Sequence, residues 1–121
     1  MYNNTGVSRT GRVRLYIDGT SGTNAFDSGT LTISNNQLAQ WWLEWNLHTN
    51  GNTNNYLKFR FSYVNIGVGV TGISPTFVQG MTNNLNIDIT TSHTVDIATQ
   101  LNTASASLNS AVTGRMFGPY N

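Results

Sequence analysis

The side chains able to do acid–base or metal chemistry are few in this sequence, and their spacing does not bring them together. His48 and His93 are the two histidines, Glu44 is the single glutamate, and cysteine is absent. Glu44 and His48 share one face of a predicted strand, but four strand residues span about 13 Å, too far for one metal ion to join them. The sequence also lacks a supported serine–histidine–aspartate pattern and a phosphate-binding glycine loop that opens a helix. It therefore predicts no enzymatic activity, no metal site and no cofactor.

Basic and amide side chains form a second set, and their alternation suits contact with nucleic acid. Lys58 and Arg60 alternate with apolar residues, as do Asn84 and Asn86. Lysine and arginine bind phosphates, and asparagine offers a donor and an acceptor to base edges. Trp42 is a candidate for stacking on unpaired bases. The predicted polar strand faces also carry Arg12, Arg14, Tyr16, Asn46, Ser62 and Thr90. A polar face that contacts only water is the alternative interpretation.

The composition bounds the class of protein. The 121 residues fit one domain, and only 9% of them are charged, with a net charge of +1. That fraction is well below the ~25% of typical soluble domains, so we expect much of the surface to be hidden against copies of the same chain. Residues 1–10 lack the apolar core of a signal peptide, and no run approaches the ~20 apolar residues of a membrane span. We expect a cytoplasmic protein or one packed into a particle there.

Alternation of apolar and polar residues predicts five strands. They cover 12–17, 30–34, 41–48, 57–63 and 84–90. The Asn-Gly pair at 50–51 predicts an antiparallel hairpin between the third and fourth strands. Residues 1–11 are predicted to be a loose arm, and the glycine-rich stretch 66–80 a long loop around Pro75.

After Thr91 the period changes to that of a helix. Ile97, Leu101, Ala104 and Leu108 are spaced four, three and four residues apart, which predicts a helical segment over 94–113. A helical segment this short cannot cover the aromatic faces of the hairpin. Exposing the uncovered apolar surface to water costs several kcal/mol at about 25 cal/mol per Å². We therefore expect a dimer that exchanges its helical cover.

The order of these elements resembles the coat proteins of single-stranded RNA bacteriophages, the leviviruses. The segment 84–90, Asn-Leu-Asn-Ile-Asp-Ile-Thr, is similar to the last strand of that family, although Asn84 stands where some members have a stacking tyrosine. The segment 56–61, Tyr-Leu-Lys-Phe-Arg-Phe, is similar to the strand that carries an RNA-facing lysine. The likeness covers 12–121 as an architecture more than as identity.

The resemblance implies an α+β fold, with an antiparallel sheet (an N-terminal hairpin and about three further strands) followed by two C-terminal helices. It implies interlocked homodimers that assemble into an icosahedral shell, the virion capsid, with loop 66–80 at its symmetry axes. It further implies that the inner sheet face binds the RNA genome, including a hairpin that represses translation. The residues implied to bind RNA are Asn46, His48, Lys58, Arg60, Ser62, Asn84 and Asn86.

Two other functions fit the same composition. A decoration or cement protein of a tailed-phage capsid shares the low charge and the β-rich pattern, but it binds an existing shell and packages no RNA. A carbohydrate-binding module would use the tryptophans at 41–45 as a sugar platform, although Trp41 and Trp45 are expected in the core.

Overall fold

A computed structural model describes residues 1–19, 21–49, 51, 53–67, 76–82, 84–88, 90–103 and 108–109. About 66% of these residues are in strands, and none of them is in a helix. The strands are β1 (Tyr2–Asn3), β2 (Arg9–Ile17), β3 (Thr23–Asp27), β4 (Leu31–Ile33), β5 (Gln37–Thr49), β6 (Asn55–Gly67), β7 (Thr76–Thr82), β8 (Val95–Leu101) and β9 (Leu108–Asn109). The predicted α+β fold with two C-terminal helices is therefore wrong, and the described chain is all-β.

The first sheet, sheet A, is antiparallel and has the order β7-β6-β5-β1-β9. Its centre is the hairpin of β5 and β6, whose ladder runs from Gln37 opposite Gly67 to Thr49 opposite Asn55. The sequence prediction of this hairpin is confirmed. Trp45 lies opposite Phe59, so Trp41, Trp45, Phe59 and Phe61 share the face that points to the core.

The second sheet, sheet B, is built around β2. One side of β2 pairs with β3 and β4, and the other side pairs with the full length of β8, from Gly11 opposite Leu101 to Ile17 opposite Val95. Val13, Leu15 and Ile17 are buried, as their alternation with polar residues predicts. The described part of sheet B thus presents one apolar face.

The core lies between the two apolar faces. The Phe26 ring of sheet B lies 4.8 Å from the Phe59 ring and 5.4 Å from the Phe61 ring of sheet A, measured between centroids. Thr82 of β7 donates a hydrogen bond to the carbonyl of Ala25, at 2.7 Å. The cover that we expected from exchanged helices is therefore supplied by sheet B of the same chain.

The predicted helix over 94–113 is wrong where the structure describes it, because Val95–Leu101 is strand β8. The four-residue spacing of Ile97 and Leu101 fits a strand as well, since Val95 and Thr99 complete an alternating series. Valine, isoleucine and threonine favour strands, and pairing with β2 satisfies the whole backbone edge. The two residues Leu108–Asn109 form β9, and the other residues after 103 lie outside the described part.

The predicted strand 84–90 is also wrong where the structure describes it, although two of its three predicted inward residues are buried and the third, Ile89, lies outside the described part. Leu85 and Ile87 are buried, but Asn84 and Asn86 have φ values of 56° and 52°. Asparagine tolerates this left-handed conformation better than other non-glycine residues, and it prevents a regular ladder. The segment is instead held by Asn55, whose carbonyl accepts the Leu85 N–H at 3.1 Å and whose side-chain amide donates to the Ile87 carbonyl.

Two segments predicted to be irregular contribute strands. In the N-terminal segment, β1 pairs with β5, and the Ala39 N–H donates to the Met1 carbonyl at 2.7 Å. In the predicted loop 66–80, residues 76–80 belong to β7, and residues 68–75 lie outside the described part. Strand β3 was not predicted, because Ala25 and Phe26 are both buried and a register shift opposite them breaks the alternation.

Strand β7 pairs with β6 on one side and has no strand partner on the other among the described residues. It lacks charged residues, and Phe77, Met81 and even the inward-facing Val78 are exposed, the last by 48%. Gly80 lies opposite Phe59, and a Cβ at this position would come within 2.9 Å of the Phe59 ring. The absence of a side chain at Gly80 lets the edge strand approach the core.

Candidate nucleic-acid interface

The face of sheet A that points away from the core gathers side chains from β5, β6 and β7. We call this surface the exposed face. The ladders place its residues in four cross-strand rows. The rows are Trp42–Ser62–Phe77, Glu44–Arg60–Gln79, Asn46–Lys58–Met81 and His48–Tyr56. Successive rows are about 6.8 Å apart, since two strand residues separate them.

The charges of the exposed face lie in its two middle rows. Lys58 and Arg60 are exposed on β6, and neither forms an ion pair within the described residues. Arg60 lies opposite Glu44, whereas Lys58 lies opposite the neutral Asn46. The Lys58 ammonium also lies 5.9 Å from the centre of the Tyr56 ring, within the range of a cation–π contact. Both cations remain able to meet phosphate groups.

Aromatic side chains close the exposed face at both ends. His48 stacks on Tyr56 with ring centroids 4.9 Å apart and planes within 5°. At the other end Trp42 and Phe77 are 69% and 75% exposed, which is unusual for side chains of this size. Cations between aromatic platforms are the combination that proteins use to bind single-stranded nucleic acid.

Five of the residues implied to bind RNA lie together on the exposed face. They are Asn46, His48, Lys58, Arg60 and Ser62. The remaining two, Asn84 and Asn86, are exposed but lie outside any strand of sheet A. Sequence reasoning missed Phe77, Gln79 and Met81, because residues 76–80 of β7 fall within the predicted loop and residues 81–82 were assigned to no strand. The only signal for this strand was the alternation of Phe77, Gln79 and Met81 with Val78 and Gly80, but neither face of the strand is clearly polar or clearly apolar.

The two arginines on the polar face of β2 belong to a different surface. Arg14 Nε donates to the Asp27 carboxylate at 2.9 Å, and Arg12 Nε lies 3.4 Å from the same carboxylate. The hydrogen bond to Asp27 raises the pKa of Arg14. Because both arginines lie on sheet B and face Asp27, they do not add to the cations of the exposed face.

The described residues contain no group of three or more histidine, aspartate or glutamate side chains arranged to hold a metal ion. They also include no helix long and apolar enough to cross a membrane. The absence of enzymatic activity stays a prediction.

A polar cluster around His93 joins the turn after β2 to the segment before β8. The His93 ring lies between two acceptors, with Nδ1 2.7 Å from the Asp18 carboxylate and Nε2 2.6 Å from the Asp88 carbonyl. Asp18 also accepts the Thr94 N–H at 3.1 Å. Only a doubly protonated ring donates to both acceptors at once. Accordingly, the hydrogen bond to the Asp88 carbonyl and that to Asp18 raise the pKa of His93.

The His93 cluster predicts a pH-dependent contribution to stability. Because the folded pKa of His93 lies above its ordinary value of 6.5, the contribution is complete below about pH 6.5 and is lost as the pH rises through the raised pKa. The hydrogen bond from His93 lowers the pKa of Asp18 below 3.8, so the contribution is also lost in strong acid. Urea unfolding of wild type and His93→Gln should differ most between pH 3.8 and 6.5.

The matched control for this prediction is His48→Gln, since His48 stacks on Tyr56 and the substitution changes the same side chain elsewhere. A difference between wild type and His93→Gln that stays constant from pH 6.5 into alkali would contradict a charged His93.

No family model, curated protein or solved structure matches this chain.

Proposed function

We propose that this protein is a viral coat subunit that assembles into a shell and holds single-stranded RNA against the exposed face of sheet A. The observation that carries the proposal is the arrangement of that face, where Lys58 and Arg60 lie between two aromatic ends. The helical architecture of the levivirus coat proteins does not support the proposal, because β8 replaces the predicted helix. The proposal rests instead on the exposed face and on the edge of β7 that pairs with no described strand.

The exposed face favours RNA over a folded protein partner. Lys58 and Arg60 are two residues apart on β6, so their charged groups can contact separate phosphates. The neighbouring Asn46 and Gln79 carry amides that can pair with base edges. Aromatic rings stack on any base, which suits a subunit that must bind many different sequences of one genome.

The edge of β7 favours assembly with further copies of the chain. Exposed edge strands of soluble proteins usually carry lysine, proline or a bulge that blocks pairing with another chain. The residues of β7 are Thr-Phe-Val-Gln-Gly-Met-Thr, and none of them provides such a block. A second β7 paired antiparallel about Gln79 would place Phe77 opposite Met81 of the partner subunit and Thr76 opposite Thr82 of the partner subunit. The strand is therefore complementary to itself.

Removing the two cations tests RNA binding. In the double variant Lys58→Ala/Arg60→Ala, the RNA content of purified particles should fall, because two phosphate contacts are lost. The slope of log affinity against log salt should become shallower by about 1.4, at ~0.7 per phosphate of a single strand. Absorbance ratios of the particles and titrations at several salt concentrations measure the two effects.

The double variant Arg12→Ala/Arg14→Ala is the matched control, since it removes the same charge from sheet B. Its stability needs a parallel check because Arg14 is bonded to Asp27. If the Lys58/Arg60 variant packages as much RNA as wild type, the exposed face is not the RNA site.

The same edge of β7, unpaired among the described strands, also favours a second candidate, a decoration protein that binds an existing capsid. Such a protein would use β7 for pairing with the shell and would need no RNA. Electron microscopy of the purified protein separates the two: a coat subunit forms uniform shells, whereas a decoration protein remains small.

A further inference from the structure

The row Trp42–Ser62–Phe77 forms a notch with two aromatic walls and a small floor. Trp42 lies opposite Ser62 on the ladder of β5 and β6, and Ser62 lies opposite Phe77 on the ladder of β6 and β7. The two rings therefore rise from the sheet on either side of a serine. Both are more than two-thirds exposed, so the described residues do not fill the space between them.

The width of the notch suits one planar ring. Two strand spacings separate Trp42 from Phe77, which is about 9.6 Å. A ring placed midway would lie about 4.8 Å from each wall, within the 4.5–7 Å range of stacked or tilted aromatic pairs. If the two walls were closer together, no ring would fit between them, and a middle residue larger than serine would fill the space.

We infer that this notch binds a single unpaired nucleobase between Trp42 and Phe77, an inference that rests on the proposed binding of RNA to the same face. The Ser62 hydroxyl at the floor can donate to or accept from the edge of the base. Arg60 lies one row away on the same strand, about 6.8 Å along it, where it can hold the phosphate that precedes or follows that base.

The charge around the notch favours a nucleotide over an apolar side chain from another protein. The adjoining row provides Arg60 opposite Glu44, and the row beyond provides Lys58, so two exposed cations and one carboxylate lie beside the notch. An apolar partner would gain nothing from these cations, whereas the phosphates of a single strand pass directly over them. The occupant of the notch is therefore the base, and the cations hold its backbone.

The experiment compares a short oligouridylate with an abasic oligomer of the same length and charge. Dissociation constants of the full chain are measured by fluorescence anisotropy at one salt concentration. Trp42→Ala and Phe77→Ala should each weaken binding of the oligouridylate roughly tenfold, the usual effect of removing one stacking side chain. Binding of the abasic oligomer should stay within about twofold, because phosphate contacts are retained.

A double variant tests whether the two walls share one base. If they do, Trp42→Ala/Phe77→Ala should bind the oligouridylate little more weakly than either single variant, since removing one ring already prevents stacking on both sides of the base. If the losses multiply, the rings are independent platforms and the notch is overturned. Leu38→Ala is the matched control, since Leu38 is an exposed apolar residue on the same strand and face.

Failure of the notch and failure of the proposed function give different results. Wild-type affinities that are equal for the oligouridylate and the abasic oligomer, with dependence on Lys58 and Arg60, would overturn the notch and leave RNA binding in place. If wild type binds neither oligomer, both the notch and the proposed function are overturned.

Discussion

Gln79→Lys is expected to abolish assembly of the shell while leaving the subunit folded. The substitution adds one positive charge at the centre of the β7 edge. In the proposed antiparallel pairing, Gln79 faces Gln79 of the partner subunit, so two ammonium groups would meet directly. Like charges at opposite positions destabilise a strand pair, and lysine is the residue that natural edge strands use to prevent such pairing. Light scattering and electron microscopy should show soluble small species in place of particles.

The structure offers a control with the same chemistry. Gln40→Lys adds an identical charge on the exposed face of β5, a central strand of sheet A, and should leave assembly intact. Particles of normal size from Gln79→Lys would show that assembly uses another surface.

Because the chain contains no cysteine, the register of the same interface can be read by crosslinking. Opposed residues of an antiparallel pair have Cα atoms about 4.5–5.5 Å apart, which falls within the range of a disulfide. Gln79→Cys should therefore form a covalent dimer under mild oxidation. Thr76→Cys alone should not, whereas Thr76→Cys/Thr82→Cys should.

Asn3→Ala is expected to lower the free energy of unfolding by about 3 kcal/mol, which follows from leaving buried backbone groups without partners at ~1–3 kcal/mol each. Asn3 is completely buried in β1. Its side-chain NH2 group donates to the backbone carbonyls of Val7 and Ile33, both at 2.8 Å. Its side-chain oxygen accepts hydrogen bonds from the Thr5 N–H and hydroxyl, at 3.1 and 2.8 Å. One side chain thus ties β1 to β4 and to the turn between β1 and β2.

Urea unfolding, at a protein concentration too low for assembly, measures the loss of unfolding free energy. Asn4→Ala is the control, because Asn4 is the exposed neighbour and its removal should cost less than about 0.5 kcal/mol, as at most surface positions. A loss from Asn3→Ala as small as that from Asn4→Ala would mean that water replaces the lost hydrogen bonds.

Much of sheet A could be predicted from the sequence, because its central hairpin carries two independent signals. Asn50-Gly51 marks the turn, and strict alternation fixes which residues face the core. Together they predict a hairpin in which Trp45 and Phe59 share the core face, but the register that places these two residues opposite each other is a finding of the structure. The same alternation predicts that the five residues of β5 and β6 that the resemblance implies to bind RNA share one face.

The elements that were predicted wrongly lack such agreement between signals. Ile97 and Leu101 satisfy a helical and a strand period at once, and only the long-range pairing with β2 decides between them. Asn84 and Asn86 alternate as a strand would, but their left-handed backbone conformation has no mark in the sequence beyond the residue type. The candidate site was incomplete for the same reason, since β7 shows no contrast between its two faces.

The pairing of β2 with β8 also determines how late in synthesis sheet B can be completed. Ile17 pairs with Val95, so one side of β2 stays open until the chain has been extended by most of its length. At ~5–20 residues per second this takes roughly 4–16 s. The uncharged edge of β7 is translated before β8, and it therefore emerges while the core is still unfinished. The edge of β7 is therefore available to another chain before β8 closes sheet B.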